Sequence, residues 1–471
     1  MPADTLSERY RPIVADPDAF GDALQRPLHR FVWANPLKTS PETLFRRLAR
    51  DGFGPAPLDW HPSAFRITGS PDGLGSHWTY FAGHFQIQEA GSMVPGQLLD
   101  AVPGMRVLDL CAAPGNKTAQ AAVAVGNRGT VLANDAVGGR LSALRSNANR
   151  LGLLNVSAVC CDGTRLPGAA GTFDRVIVDA PCSCEGTTRQ NPGVLARPHR
   201  NRDALARRQA LLLEQGVRRC RTGGRVVYST CTYAPEENEG VVDRVLRRHR
   251  GALRVLPVRL PGLVTAPGIP SWRGRRYRDE VGNALRIWPQ DNDTGGFFVA
   301  VLEKTDGPGD AGPPRGSAAA GPAPVDDDRR RAVVAGFEER FGIPGDAFEG
   351  LRWFEQGRRY LVVAAEDHEV PAIGVRFTGL PLLHTRSRAP RMTTEAATLF
   401  GGGAARNRVD LSPRQLRDYL RRRDVPLSAE QIRFTDGPGV VLAGVEGTVI
   451  GNGVFRPDQG FLESQFPTKW L

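Results

Sequence analysis

The chain has 471 residues, 41% of them hydrophobic and 24% charged. It is too long for one ordinary domain, and its composition is that of a globular protein with a sizeable core. No run approaches about 18 consecutive apolar residues, which argues against a membrane span. The opening stretch MPADTLSERYRPIVADPDAF lacks the apolar region of a secretory leader, so a cytoplasmic location is expected. The net charge of +11 suits a polyanionic partner. That signal is discounted, because all but four of the 61 basic residues are arginine, in a chain also rich in Ala, Gly and Pro, as GC-rich coding produces. Lys117 survives this bias inside a motif and is therefore expected to be chemically required.

In chain order, Arg106 to Leu110 reads as a buried strand, followed by a small-residue loop and an alanine-rich helix starting near Lys117. Thr130 to Asn134 is a second strand, with the helical stretch GGRLSALRSNANRLG after it. Val156 to Cys160 and Arg175 to Val178 are the third and fourth. A long helix is expected from about Asp203 to Arg221, a fifth strand at Arg225 to Ser229, a helix opened by Pro235, and a final strand at Gly296 to Leu302. Alternation of this kind predicts a mostly parallel α/β sheet with helices on both faces. Its ligands are expected beyond the carboxyl ends of the strands. The segment 305–331, rich in Pro, Gly and Ala and ending in a charge run, reads as a flexible linker to a C-terminal unit. The expected units are 1–92, 93–304 and 332–471.

Chemistry gathers at the strand ends. The first strand runs into CAAPGNKT (111–118), whose backbone can approach a ligand at a helix N-terminus. Asp135 follows the second strand, placed to receive ribose hydroxyls, and Asp162 follows the third, near an adenine position. Asp179 ends the fourth, followed by Ala180, Pro181 and Cys182. One such Asp is usually a turn former or helix cap. Four acids or acid-bearing loops at one sheet edge describe an adenosine-type cofactor site. The seven cysteines (Cys111, Cys160, Cys161, Cys182, Cys184, Cys220 and Cys231) all lie within one 121-residue window. An odd count without a repeating spacing argues against a disulfide framework, and the C-x₂-C pairs of a structural zinc site are missing. No metal site and no second cofactor are read.

FQIQEAGSMVP (85–95), VLDLCAAPGNKT (107–118), DAPCSCEGTTR (179–189) and YSTCTYAPEENE (228–239) together resemble the signature set of the Sun/RsmF-type RNA cytosine-5 methyltransferases. The resemblance implies a Rossmann-like methyltransferase domain, a small N-terminal α/β RNA-binding domain, and S-adenosylmethionine as cofactor. It assigns the cofactor site to Cys111, Ala112, Ala113, Pro114, Gly115, Asn116, Lys117, Asp135, Arg140, Asp162 and Asp179. It also explains two cysteines. Carbon 5 of cytosine is too weak a nucleophile to take a methyl group, and a thiolate adding to carbon 6 activates it. The resemblance gives that attack to Cys231, product release to Cys182, and the contact with ring N3 to Asp179. Related pyrimidine methyltransferases use the P-C cysteine as nucleophile, but the STCT context favours Cys231. Cys160, Cys161 and Cys220 read as inert packing, and Cys184 is given no role. Asn116 stands where the family more often has glycine, which suits a left-handed backbone that Asn tolerates.

Candidate RNA contacts are Arg189, the segment RPHRNRDALARRQ (197–209), and Arg218, Arg219 and Arg221, with a solvated basic face on a core helix whose Leu205 and Leu212 point inward as the equal alternative. In RFVWANPLKTSPETLFRRL (30–48), which resembles the family's small preceding domain, Arg30 or Lys38 is placed to touch phosphate. NRVDLSPRQLRDYLRRRDV (407–425) and the Gly-punctuated strands after it resemble a β-rich PUA-like RNA-binding domain, whose helix is expected to carry Arg414, Arg417, Arg421, Arg422 and Arg423. The resulting expectation is 5-methylcytosine formation in ribosomal RNA, with transfer RNA as the close alternative. A non-catalytic assembly factor that binds RNA belongs to a different class, and it would need none of the thiols.

Overall fold

Arg106–Asp109 (β1), Thr130–Asn134 (β2), Val156–Val159 (β3) and Phe173–Asp179 (β4) form the heart of a ten-stranded sheet in this computed structural model. The structure describes residues 3–70, 72–194, 202–306, 322–357, 360–371, 373–385 and 391–468. Cys220–Thr230 (β5), Leu285–Ile287 (β6) and Phe297–Lys304 (β7) extend the sheet, which runs Ala266–Pro267, β6, β7, β5, β4, β1, β2, β3. Strands β1 to β5 pair in parallel, and β7 runs antiparallel to β5. The parallel strands are near-continuous apolar runs because both faces are covered. Helices Asn116–Ala124 (α1) and Leu141–Leu151 (α2) pack on one face, and Arg202–Arg219 (α3) and Glu239–Arg248 (α4) on the other. The chain leaves β1 toward β2 and leaves β4 toward β5. Those opposite departures open a crevice above the carboxyl ends of β1 and β4.

The N-terminal region divides its work. Arg30–Ala34, Pro55–Leu58, His61–Ile67 and Phe85–Ile87 form a four-stranded sheet whose core includes Val32, Phe65, Leu44 and Leu48. The last two lie on helix Pro41–Arg50, which is capped by Ser40 and carries Pro at its first turn. Residues before Arg30 do not join that sheet. Helices Ala3–Tyr10 and Pro17–Gln25 pack on Tyr233 and Trp288, beside the fifth strand's loop.

Two expectations about helix starts are corrected. Pro235 does not open a helix: α4 begins at Glu239, and the preceding residues form a turn. Their side chains are spent elsewhere, Asn238 bonding Thr230 and the Thr232 carbonyl of its own loop while Glu237 accepts from Ser183 in the loop after β4 and from Gln209 on α3. In the expected linker, 307–321 lies outside the described residues. The charge run that follows is folded, however. Asp326 caps helix Asp327–Phe341, with acids in its first turn and arginines three residues on.

The C-terminal region holds a four-stranded sheet and a β-rich five-stranded sheet. Helix Pro413–Leu420 opens with a capping box from Ser412 and Gln415. It ends before Arg421, so Arg421, Arg422 and Arg423 lie past the helix rather than on it. A further strand, Val375–Thr378 (β8), pairs antiparallel with β3 and covers the edge of the central sheet. The seam is polar at its centre. His368 is fully buried, and its Nε2 lies 2.8 Å from Ser157 Oγ and 3.1 Å from Thr378 Oγ1.

Two cations expected on the surface are structural. Lys38 Nζ donates to the Ala82 and Arg150 carbonyls and to Thr398 Oγ1, tying the N-terminal sheet, the end of α2 and the C-terminal region together. Arg189 is buried and donates to the Arg26, Pro27 and Thr294 carbonyls and to Asp293. Neither can reach RNA phosphate without breaking these bonds. Segment 197–201 lies outside the described residues. Arg221 sits on β5, not on α3, and pairs with Asp174.

Burial depresses the His368 pKa from 6.5 to about 3. The unfolded chain therefore binds a proton that the seam refuses between about 6.5 and about 3, and stability falls as pH drops through that window. Amide exchange at Val375–Thr378, followed by mass spectrometry, should be protected at neutral pH and lose protection on acidification. A His368→Asn variant should show a flatter pH dependence, and an equal slope in both proteins would remove His368 as the cause.

Candidate active site

Parallel pairing of β4 with β5 sets Asp179 opposite Ser229. Beyond that register the two chains continue side by side: Ala180 N–H donates to Ser229 O at 3.0 Å and Gly186 N–H to Cys231 O at 2.9 Å. A Cβ on Gly186 would lie 2.1 Å from the Gly296 carbonyl oxygen, so glycine alone permits this approach. The result places Cys182 Sγ and Cys231 Sγ 3.5 Å apart. Cys184 turns the loop back with φ +60, a left-handed conformation that costs about 1–2 kcal/mol for a residue with a side chain. Its thiol donates to the Cys182 carbonyl at 3.3 Å.

Asp179 is held from two sides. Lys117 Nζ donates to Oδ2 at 2.7 Å and Ser229 Oγ to Oδ1 at 2.7 Å. Lys117 also donates to Ser92 Oγ at 3.0 Å. The lysine is thus fixed by β1's loop, by the fourth strand and by the FQIQEAGSMVP segment at once. Below the thiols, Glu185 is fully buried and receives Tyr10 Oη at 2.5 Å, Arg202 Nη2 at 2.6 Å and Thr232 Oγ1 at 3.1 Å. The N-terminal helix therefore buttresses the cysteine loop, which nothing in the sequence signalled.

The thiols are held protonated. Contacts with Cys184 and Cys231, then burial, push Cys182 well up. For Cys231 the Cys182 contact pulls down, but Cys184 and burial outweigh it, and the net direction is also well up.

Beside this pair lies a cavity of about 130 Å³ lined by Cys111 to Pro114, Asn116, Lys117, Ser92, Asp109 and Asp179. Gly115 begins α1 at φ +103, which keeps the loop close to Leu144. Asn116 is the first helical residue rather than the left-handed one, and its Oδ1 accepts from Gln86 at 2.7 Å. Asp135 is buried and accepts from the Ala113 and Val137 amides, with Arg140 pairing at 3.1 Å. Arg140 also donates to the Ala113 carbonyl, so it latches the loop. Asp162 is exposed and caps the turn at Thr164, whose amide holds its carboxyl below the usual range.

Asp109 was not singled out in the sequence, because it sits inside the apolar run rather than after it. Burial pushes it up to about 7, while Thr118 pulls the other way. Its Oδ1 is buried without a hydrogen-bond partner among the described residues. An unpartnered buried carboxylate oxygen, with Asp135, Asp162 and Asp179 arrayed along the same edge, fits a ligand bearing an ammonium group and a ribose diol.

A sequence profile of the 16S rRNA methyltransferase RsmB/F family matches residues 96–303. The chain is 32% identical over 420 residues to ribosomal RNA small subunit methyltransferase F of Escherichia coli O157:H7 (strain EC4115 / EHEC), covering 87% of this chain and 84% of that relative. Against the protein of the same name from Klebsiella pneumoniae (strain 342), identity is 34% over 427 residues, with 88% and 86% covered. Among solved structures, a methyltransferase homolog protein from Pyrococcus horikoshii superposes with a TM-score of 0.57 at 32% identity, covering 64% of this chain and 94% of that one. NSun6 from Pyrococcus horikoshii, solved with SFG, gives 0.54 at 22% identity, covering 64% and 98%, and bears on the fold alone. A strand order with paired thiols at the switch point, a family profile across the central sheet and relatives matched over most of their length all agree: the chain belongs to the 16S rRNA methyltransferase RsmB/F family and is an S-adenosylmethionine-dependent RNA methyltransferase.

Proposed function

We propose that this enzyme forms 5-methylcytosine in small-subunit ribosomal RNA, with Cys231 as nucleophile. The observation that carries the reading is the 3.5 Å pairing of Cys231 with Cys182 beside a carboxylate clamped by Lys117 and Ser229. Two adjacent thiols beside that clamp are what addition to and release from a pyrimidine ring require.

A target cytosine must leave its stack to reach this depth. Cys231 sulfur adds to carbon 6, its proton leaving to solvent or a neighbouring base, and the ring's carbon 5 becomes electron-rich. The Lys117–Asp179 pair carries the proton that bonds ring N3, drawing charge from carbon 6 and favouring addition. Bound S-adenosylmethionine supplies the electrophilic methyl group. Asp109, the loop Cys111–Lys117, Asp135, Arg140, Asp162 and Asp179 would hold it, the carboxylates matching its cationic and hydroxyl groups. Once water or a base in the crevice has taken the proton from carbon 5, the bond between carbon 6 and sulfur breaks, the Cys231 sulfur leaves with its electron pair, and Cys182 assists by offering it a proton. We read 93–304 as the catalytic unit, 1–92 as supplying RNA contacts from the small sheet, and 332–471 as a PUA-like unit that grips RNA through Arg414, Arg417 and the turn Arg421 to Arg423.

Cys231→Ala should lower methyl transfer by on the order of 10⁴-fold or more. Cys182→Ala should instead accumulate a covalent protein–RNA complex on a denaturing gel, and the reverse pattern would exchange the two roles. Labelled methyl from S-adenosylmethionine, offered to small-subunit RNA, assembled subunits and transfer RNA, should appear as 5-methylcytosine in the ribosomal fraction. Label in transfer RNA alone would replace the substrate assignment, and no label anywhere would favour a non-catalytic assembly factor.

The raised thiols give a pH signature. At neutral pH both sulfurs carry protons, and thiolate forms only on the alkaline side of the ordinary cysteine range. Iodoacetamide labelling of Cys231, read by peptide mass spectrometry, should be at least about tenfold slower at neutral pH than for an exposed cysteine and should rise with pH. Labelling at the rate of an exposed cysteine, with the same rise with pH, would show that Cys231 is not raised above the ordinary cysteine range.

A further inference from the structure

The reaction uses two thiols, yet the loop brings three together. Ligand atoms of Cys182, Cys184 and Cys231 all lie within 4.8 Å of one another. The third sulfur is there because of the backbone. Cys184 adopts φ +60, Gly186 is bonded to the Cys231 carbonyl, and the segment between them folds back over the fifth strand's loop. The scaffold beneath is rigid: Ser183 Oγ meets Thr232 Oγ1 at 2.7 Å, Ser183 N–H donates to Glu237 at 3.0 Å, and Glu185 is locked by Tyr10 and Arg202.

Zinc bound by thiolates at about 2.3 Å in a tetrahedron sets its sulfurs about 3.8 Å apart. The cluster, with one separation of 3.5 Å and none above 4.8 Å, needs only side-chain rotation to meet that spacing. Sequence spacing concealed this, since Cys182-x-Cys184 is too short for the usual pair and Cys231 arrives from another strand. All three cysteines are partly exposed, so an ion can enter from the crevice.

We propose that Cys182, Cys184 and Cys231 form a three-thiolate site for a thiophilic d¹⁰ cation of the zinc class, with the fourth coordination position open to water. The ion displaces the three thiol protons to solvent and occupies the space where a cytosine would meet Cys231. Metal and RNA adduct then exclude each other, a consequence that rests on Cys231 being the nucleophile. The site itself does not rest on that role.

The test titrates the full chain, reduced with a non-thiol reductant and free of RNA and S-adenosylmethionine, with cadmium(II) alone. Thiolate-to-metal charge-transfer absorbance should saturate at one ion with the intensity of three thiolates, and zinc(II) should displace it. Cys184→Ser should lose about a third of that intensity and bind at least about tenfold more weakly, whereas Cys160→Ser should match the wild type. Intensity of two thiolates or fewer in the wild type, or binding as tight in Cys184→Ser, would overturn the site. The wild-type intensity is decisive even if the variant misfolds. In a second readout, zinc(II) should block iodoacetamide labelling of Cys231 in the wild type, and Cys184→Ser should need at least about tenfold more zinc(II) for the same block. Unblocked labelling in the wild type would remove Cys231 from the ligand set. Neither readout uses methyl transfer, so a failed substrate assignment and a failed metal site are told apart.

Discussion

The register of two parallel strands governs the geometry of the candidate site. With Asp179 opposite Ser229, the residues that follow are placed without further adjustment: the carboxylate meets the hydroxyl, and Cys182 meets Cys231 three residues further along one chain and two along the other. Side chains on a strand alternate between faces, so a slip of one position would turn one partner of each contact away. Val176 and Val226 pack on one face of the sheet and Ile177 and Val227 on the other, all fully buried, so a slip of β4 or β5 would force each against the wrong helices. Misfitting a close-packed core side chain costs about 1–3 kcal/mol, so the core enforces the geometry of the site.

Much of the central sheet was legible because its strands are short apolar runs ended by acids and loops of small residues, a pattern that burial on both faces demands. That loop 111–118, Asp179, Cys182 and Cys231 come together at one sheet edge was legible from motif context. What sequence did not reveal depends on contacts distant in the chain. Val375–Thr378 is four residues with an irregular register, too short to announce itself as a member of the central sheet. The run DDDRRR looks like a charged tether until its capping Asp326 is seen. Lys38 and Arg189 carry surface-type side chains whose acceptors are mostly backbone carbonyls, and those have no signature in sequence. Asp109 was hidden inside the very strand that made the first motif recognisable.

The arginine-rich composition has a structural side as well. Arg286 is buried against Glu239 with two bonds of 2.6 Å, and Arg150 reaches the Tyr80 and Phe85 carbonyls from within the interface between the N-terminal sheet and α2. A planar, multidentate, always-charged group suits such bracing better than lysine. Breaking one side of a buried pair of this kind costs about 3–5 kcal/mol. Part of the positive charge that suggests an RNA partner is therefore internal scaffolding. The surface available to polyanions is smaller than +11 implies.

The strand that closes the central sheet has consequences for biosynthesis. Val375 pairs with Val159, more than two hundred positions earlier. At elongation rates of roughly 5–20 residues per second, the edge of β3 waits on the order of ten seconds or longer on the ribosome before its cover emerges. Through that interval a nascent chain presents an unpaired, apolar sheet edge, the kind of surface that recruits wrong partners. The last third of the chain thus acts as a late clasp, and translation speed through it sets how long the fold stands open.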